Sequence, residues 1–181
     1  WTTNKIAFFI MVRLECVGFV WRDIKPFATK IYDESVRMSQ LVEDVIDLSK
    51  LDTGAPEQER ESTDLYRIAE NAVESLENFA KSNGVELYLQ GKTVMIDGVP
   101  ELLHSIVYNL CDNAIKYNRE GGRVDVKLEN LQKSVILSVK DTGIGISDDH
   151  IDRIFERFYR VDKSHSKEVG GTGLGLSIVK H

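Results

Sequence analysis

Between Asp23 and Leu51 the residues Ile24, Ala28, Ile31, Ser35, Met38, Val42, Val45 and Ser49 recur at alternating steps of four and three. A helix is the backbone that puts such a series on one face. This whole segment is therefore committed to a single rod that needs partner helices. Asp23 is placed to cap its start, and Pro26 falls in the first turn, where its missing N–H leaves no bond unmade. Phe27, Leu41 and Leu48 widen the apolar face beyond a two-stranded seam, which favours a helix of a four-helix bundle over a simple coil.

The remainder follows other periods. LDTGAPEQERES, residues 51–62, combines Gly54, Pro56 and dense charge, and reads as a linker running into an edge strand. From Asp64 to Ser82, Leu65, Ile68, Ala72, Leu76 and Phe79 stand at helical spacing, with Thr63 or Asp64 as cap and Gly84 after the end. Val85, Leu87 and Leu89, then Val94 and Ile96, alternate with polar residues as short strands do. A helix from about Pro100 to Tyr117 is broken by Gly121 and Gly122. Val124, Val126 and Leu128, then Val135, Leu137 and Val139, form an antiparallel hairpin around NLQK with one face buried. The order predicts an α+β fold: a two-layer α/β sandwich of mixed, mostly antiparallel sheet with helices on one face, preceded by a long bundle-forming helix. The expected divisions are residues 1–22, unassigned; 23–52, the long helix; 53–58, a linker; and 59–181, the sandwich.

A chain of 181 residues has room for such a domain plus a small extra element. Its net charge of −6 argues against a broad nucleic-acid surface. Cys16 and Cys111 share no CxxC or Cys/His pattern, which leaves no disulfide framework or zinc site and fits a reducing, cytoplasmic setting. IAFFIMV at 6–12 is interrupted by Arg13 and Glu15, well short of the ~20 residues of a membrane helix, and is read as neither span nor signal peptide.

The chemistry gathers in the last third. In NLCDNAIKYN, residues 109–118, Asn113 lies roughly 40° from Asn109 around a helix and Lys116 roughly 20° to its other side. Leu103, Ile106, Leu110 and Ala114 form an apolar arc about a quarter turn away. Such a polar stripe beside a core is either a solvated helix edge or the floor of a ligand groove, with amide oxygens for a cation and a lysine for an anion. DTGIGI, 141–146, leaves a strand, and GGTGLGL, 170–176, enters a helix. Each is either a plain turn or a concave anion site built from successive N–H groups. Within the stretch from Arg153 to Lys167 that lies between them, Arg153, Arg157, Arg160, Lys163 and Lys167 outnumber Glu156 and Asp162. That basic excess suits a polyanion or a solvated loop, although Phe155 and Phe158 have no purpose in the latter.

NLCDNAIKYN, DTGIGI, RIFERFYRVD and GGTGLGLSIVK stand in the order and spacing of the N, G1, F and G2 boxes. Over about residues 59–181 the chain thus resembles the catalytic, ATP-binding domain of sensor histidine kinases, in the superfamily that includes gyrase and mismatch-repair ATPases. The helix at 23–52 resembles the second helix of that family's dimerisation and phosphotransfer bundle. The resemblance implies that Asn113, with Asn109, ligates a Mg²⁺ ion bridging the phosphates of ATP, and that Lys116 and Tyr117 contact phosphate or ribose. Asp141 would accept from the adenine amino group, a buried carboxylate that rejects guanine. Gly143 and Gly145 would let backbone approach the base. Gly171, Thr172, Gly173, Leu174 and Gly175 would shape the phosphate loop. Phe155, Phe158 and Arg160 would border the nucleotide, the two phenylalanines anchoring a mobile lid at 161–170. The superfamily's hydrolases carry a glutamate base four residues before the metal asparagine. Here that position is Asn109, which cannot act as a base, so phosphotransfer is favoured over hydrolysis.

The chain departs from the family in lacking a phosphoacceptor histidine. His104, His150, His165 and His181 all fall in the nucleotide-binding portion, and no catalytic residue is identified. FFIMVRLEC overlays the acceptor region through Phe8, Phe9, Val12 and Glu15, but puts Leu14, which has no nucleophilic nitrogen, where histidine belongs. The first 22 residues read as a degenerate or incomplete first bundle helix. The family's last strand pair has no counterpart after the second glycine loop, so the domain reads as truncated. The expectation is a Mg-ATP-binding region that gives its γ-phosphate to a histidine supplied elsewhere and does not label itself. Its expected partners are ATP, a response regulator and a second copy joined through 23–52. It would be the cytoplasmic portion of a membrane-attached parent. The alternatives are a nucleotide-gated dimerisation or interaction module without phosphotransfer, and an ATP hydrolase.

Overall fold

A computed structural model of the chain describes residues 2–52, 60–132, 134–161 and 171–180, with side chains from residue 24 onward except at 33. The chain divides into two compact units, Trp1–Val42 and Glu43–His181.

The first unit is most of one helix, α1, Thr2–Asp52. Here the structure corrects the reading of a helix starting at Asp23: the backbone is helical straight through, and Pro26 sits inside it. A proline there removes a hydrogen bond and crowds the preceding turn at about 3 kcal/mol, yet nothing in the twenty residues before it forces an earlier stop. The seam from Ile24 to Val45 is exposed throughout, with Phe27 and Ile31 each 71% accessible. Among the described residues no helix is long and apolar enough to cross a membrane.

The second unit carries the last turns of α1, then β1 (Glu61–Asp64), α2 (Leu65–Ser82), β2 (Glu86–Gln90), β3 (Met95–Gly98), α3 (Pro100–Lys116), β4 (Arg123–Leu131), β5 (Ser134–Asp141), α4 (Asp148–Ile151) and α5 (Gly175–Lys180). The linker expected at 53–58 lies outside the described residues. Asp64 is the cap of α2: its Oδ1 accepts from the Tyr66 N–H at 3.0 Å and also from the Val94 N–H at 3.2 Å. One carboxylate thereby satisfies an orphan helix donor and ties the helix start to the approach to β3.

The expected strands are present, divided between two sheets. β2, β4 and β5 form one sheet, with β2–β4 parallel and β4–β5 antiparallel, while β1 and β3 pair antiparallel as a separate two-stranded sheet. Val124, Val126 and Leu128 alternate inward along β4 as a sheet with one packed face requires. α2 and α3 cover that face: Ile68, Ala72, Leu76, Val107, Cys111 and Ile115 join the three valine and leucine side chains in one core.

The apolar arc expected on α3 is also corrected. Of its four residues Ala114 is buried and Leu103 packs partly buried against the core, whereas Ile106 and Leu110 are half-exposed, and Leu102, Val107, Cys111 and Ile115 take the buried positions. α3 touches α2, the sheet and α5, so its buried surface spans more than one stripe.

Candidate functional site

The predicted polar stripe runs along α3, and two glycine loops settle on it one helical turn to either side of Asn113. At the lower end, the Tyr117 carbonyl accepts from the Ile144 N–H at 3.1 Å. A Cβ on Gly143 would stand 2.2 Å from that carbonyl oxygen, so only glycine permits this approach. Gly145 faces open space, but its φ of +70° lies where a side chain is strained. At the upper end, a Cβ on Gly175 would stand 2.4 Å from Asn109 Oδ1, which seats the start of α5 directly on that amide.

The two asparagines consequently differ. Asn109 is buried, and its Nδ2 donates to the Ser105 carbonyl at 2.9 Å and to Ser105 Oγ at 3.3 Å. Asn113 is half-buried and, among the described residues, its side chain makes no hydrogen bond. Lys116 Nζ donates to Asp112 Oδ2 at 2.6 Å. Burial raises the Asp112 carboxyl above its ordinary range, Lys116 opposes this, and the carboxylate of Asp44 adds to it. Tyr117 presents an exposed ring.

Asp141 ends β5, and its Oδ1 accepts from the Gly143 N–H at 2.8 Å. The expectation of a buried carboxylate is corrected: Asp141 is exposed, because it is the last residue of an edge strand paired on one side, with Val124. The sequence reading passed over Thr142, which anchors the loop. Its Oγ1 accepts from the Arg123 N–H at 2.9 Å and donates to Asn118 Oδ1 at 3.2 Å. Ile144 stands 78% exposed above it.

The aromatic segment meets the second glycine loop. The Phe158 N–H donates to the Gly173 carbonyl at 2.9 Å, and Phe158 itself has a φ of +62°. A bulky residue in the left-handed region stores about 1–3 kcal/mol of strain, which is held by its surroundings and concentrates at functional sites. Phe158 is exposed while Phe155 is half-buried. Arg160 Nη1 donates to the Gly171 carbonyl at 2.6 Å. Thr172 Oγ1 accepts from the Leu174 N–H at 3.2 Å, and Leu174, Ser177 and Ile178 are fully buried. Most of the lid expected at 161–170, with Lys163, His165 and Lys167, lies outside the described residues, as does His181.

α1 also contributes, which its heptad reading did not anticipate. Asp44 accepts from the Thr172 hydroxyl, Asp47 accepts from Ser105 Oγ at 2.8 Å, and Asp52 accepts from Arg157 Nη2. With buried Leu48 these residues share one helix face beside the seam, so their spacing was the available signal. His104 stacks on Tyr108, and His150 Nδ1 meets Tyr159 Oη at 2.7 Å. An open groove of about 740 Å³ between β3, α3 and the tip of the β4–β5 hairpin is lined by none of the predicted site residues.

The family described as "Histidine kinase-, DNA gyrase B-, and HSP90-like ATPase" matches residues 98–181. Sensor protein kinase WalK of Staphylococcus haemolyticus is 35% identical over 166 residues, covering 89% of this chain and 27% of the relative. A WalK of Staphylococcus aureus is 35% identical over 165 residues, and the chain spans 40% of its length. Among solved structures, a mycobacterial sensor histidine kinase, MprB, is 30% identical with a TM-score of 0.58, covering 67% of this chain and 76% of MprB. Full-length ShkA in complex with AMPPNP is 29% identical with a TM-score of 0.65, covering 81% of this chain and 31% of ShkA.

Proposed function

We propose, from the premise that this chain belongs to the sensor histidine kinase family, that its ATPase-type catalytic domain binds Mg-ATP along the α3 stripe and presents the γ-phosphate to a histidine supplied elsewhere. The observation that carries this is Asn113: an amide with no hydrogen bond among the described residues, on a half-buried helix face, with a glycine loop fastened one turn to each side. An uncharged hard oxygen at such a place suits Mg²⁺, which keeps most of its waters and takes the rest of its shell from phosphates and one or two protein oxygens. Asn113 would hold the ion, with Asn109 beside it once α5 shifts off its Oδ1. When bound, the ion would neutralise charge on the phosphoryl oxygens.

Around it the chain's own groups divide the nucleotide. Asp141, exposed and already fixed by the Gly143 N–H, would accept from an adenine amino group. Tyr117 and Lys116 would lie along the ribose and phosphates, and Gly171, Thr172, Gly173, Leu174 and Gly175 would line the phosphates with backbone N–H groups. Ile144 and Phe158 would exchange exposure for contact with the base and the closed lid, with Phe155 and Arg160 behind them. Asn109 offers no base for water, which favours transfer over hydrolysis. A response regulator would take the phosphoryl group in turn. The chain would act as the cytoplasmic portion of a longer, membrane-attached kinase, consistent with spanning only 27% of one relative.

Titration calorimetry with ATP tests the site. Binding should require magnesium, and Asn113→Ala should abolish that dependence; equal binding with and without the metal refutes the assignment. Labelled ATP should leave no acid-labile phosphate on the chain alone, and should label a histidine-bearing helical bundle added to it. Strong self-labelling refutes the reading that the acceptor lies elsewhere.

A further inference from the structure

The three carboxylates at the end of α1 each grip a different part of the nucleotide site. Asp44, buried, takes the hydroxyl of Thr172 in the second glycine loop. Asp47 takes Ser105 Oγ, which in turn accepts from the amide of Asn109. Asp52 takes Arg157 in the basic segment. Leu48, between them, is buried.

Thr172 has one hydroxyl proton to donate. While it points at Asp44 it cannot serve a phosphate oxygen. A carboxylate in that place also sets a negative charge where a polyphosphate would arrive. Arg157, a cation otherwise available to the anion, is neutralised in the same way by Asp52.

We propose that the end of α1 is an inhibitory strap on the nucleotide site, with Asp44 holding the Thr172 hydroxyl in place of a phosphate oxygen, so that polyphosphate entry and the Asp44–Thr172 contact exclude one another. This rests on the ATP-binding reading above. It adds that movement of α1 sets the affinity, and by reciprocity that nucleotide loosens the end of α1.

The full chain tests this by titration calorimetry with Mg-ATP and by amide hydrogen exchange without nucleotide. Asp44→Ala should bind Mg-ATP at least about fivefold more tightly, the low end of ordinary coupling between sites, and residues 171–180 should exchange faster. Glu34→Gln, which alters an exposed pair with Arg37 on the same helix, should change neither. Unchanged or weaker binding by folded Asp44→Ala overturns the strap. If that variant does not fold, Asp44→Asn keeps an acceptor and removes the charge; a smaller gain in affinity supports the strap and no gain overturns it. If the unaltered chain and the variants all fail to bind ATP, the ATP-binding reading fails by itself. The strap then depends on exchange at 171–180, and unchanged protection in Asp44→Ala overturns it.

Discussion

Gly143 and Gly145 stand two residues apart in one loop and need to be glycine for different reasons. Gly143 has no room, since a Cβ would stand 2.2 Å from the Tyr117 carbonyl oxygen; Gly145 has room but a φ of +70°. Gly143→Ala should therefore destabilise the domain by about 1–3 kcal/mol, as overpacking does. Gly145→Asn, which tolerates the left-handed region, should leave the melting temperature nearly unchanged. Thermal unfolding of the two variants separates the causes. Cys111 carries a residue-scale pH dependence. Burial pushes its thiol from an ordinary value of 9.0 up to about 12, so the folded state holds the proton more firmly than the unfolded chain. Its contribution to stability is complete below pH 9 and is lost as pH rises toward about 12. Urea unfolding should show stability falling as pH is raised above 9, and Cys111→Ala should flatten that part of the slope.

At the scale of elements, the junction of β1, α2 and β3 depends on one side chain. Asp64→Ala removes the cap of α2 and strands the Val94 N–H together with that of Tyr66. A cap alone is worth about 1 kcal/mol, so two lost bonds should bring the loss to about 2 kcal/mol, measured as a lower urea midpoint at unchanged slope. The cap was legible to within one residue, Thr63 or Asp64, because caps are local chemistry. So were α2, the period-two strands and both glycine loops. The division of the strands into two sheets was not, because alternation states which side of a strand is buried and not which strand lies beside it. The start of α1 differs because Asp23 and Pro26 carry the local signature of a helix start, while the residues before them carry no stop signal and the helix runs through. The burial of Asp44 was hidden because its partner, Thr172, lies 128 residues away. Asn113 and Asn109 stood out together as a stripe, but only the seating of Gly175 on Asn109 distinguishes the occupied amide from the open one.

For the molecule as a whole, the outstanding physical problem is the stripe on α1. Ile24, Phe27, Ile31, Met38, Val42 and Val45 are each at least half exposed. A single helix cannot bury such a face against itself, and apolar patches of this extent mark contact surfaces. The alternating four-and-three spacing is that of helices packed side by side, where each apolar residue enters a hole on its neighbour. A second copy of the same helix offers the matching series. Sedimentation equilibrium should therefore find the chain as a dimer at micromolar concentration. The double variant Ile31→Lys, Met38→Lys should sediment as a monomer, since two buried charges without partners cannot be accommodated in a seam. Both residues belong to the unit that ends at Val42, and neither is among the core residues of the second unit. The monomeric variant should keep its affinity for Mg-ATP within about twofold, well below the fivefold minimum of ordinary site coupling. A wild-type chain that remains monomeric removes this role for the stripe, whereas a variant that loses both dimer and nucleotide means that the binding unit does not stand alone.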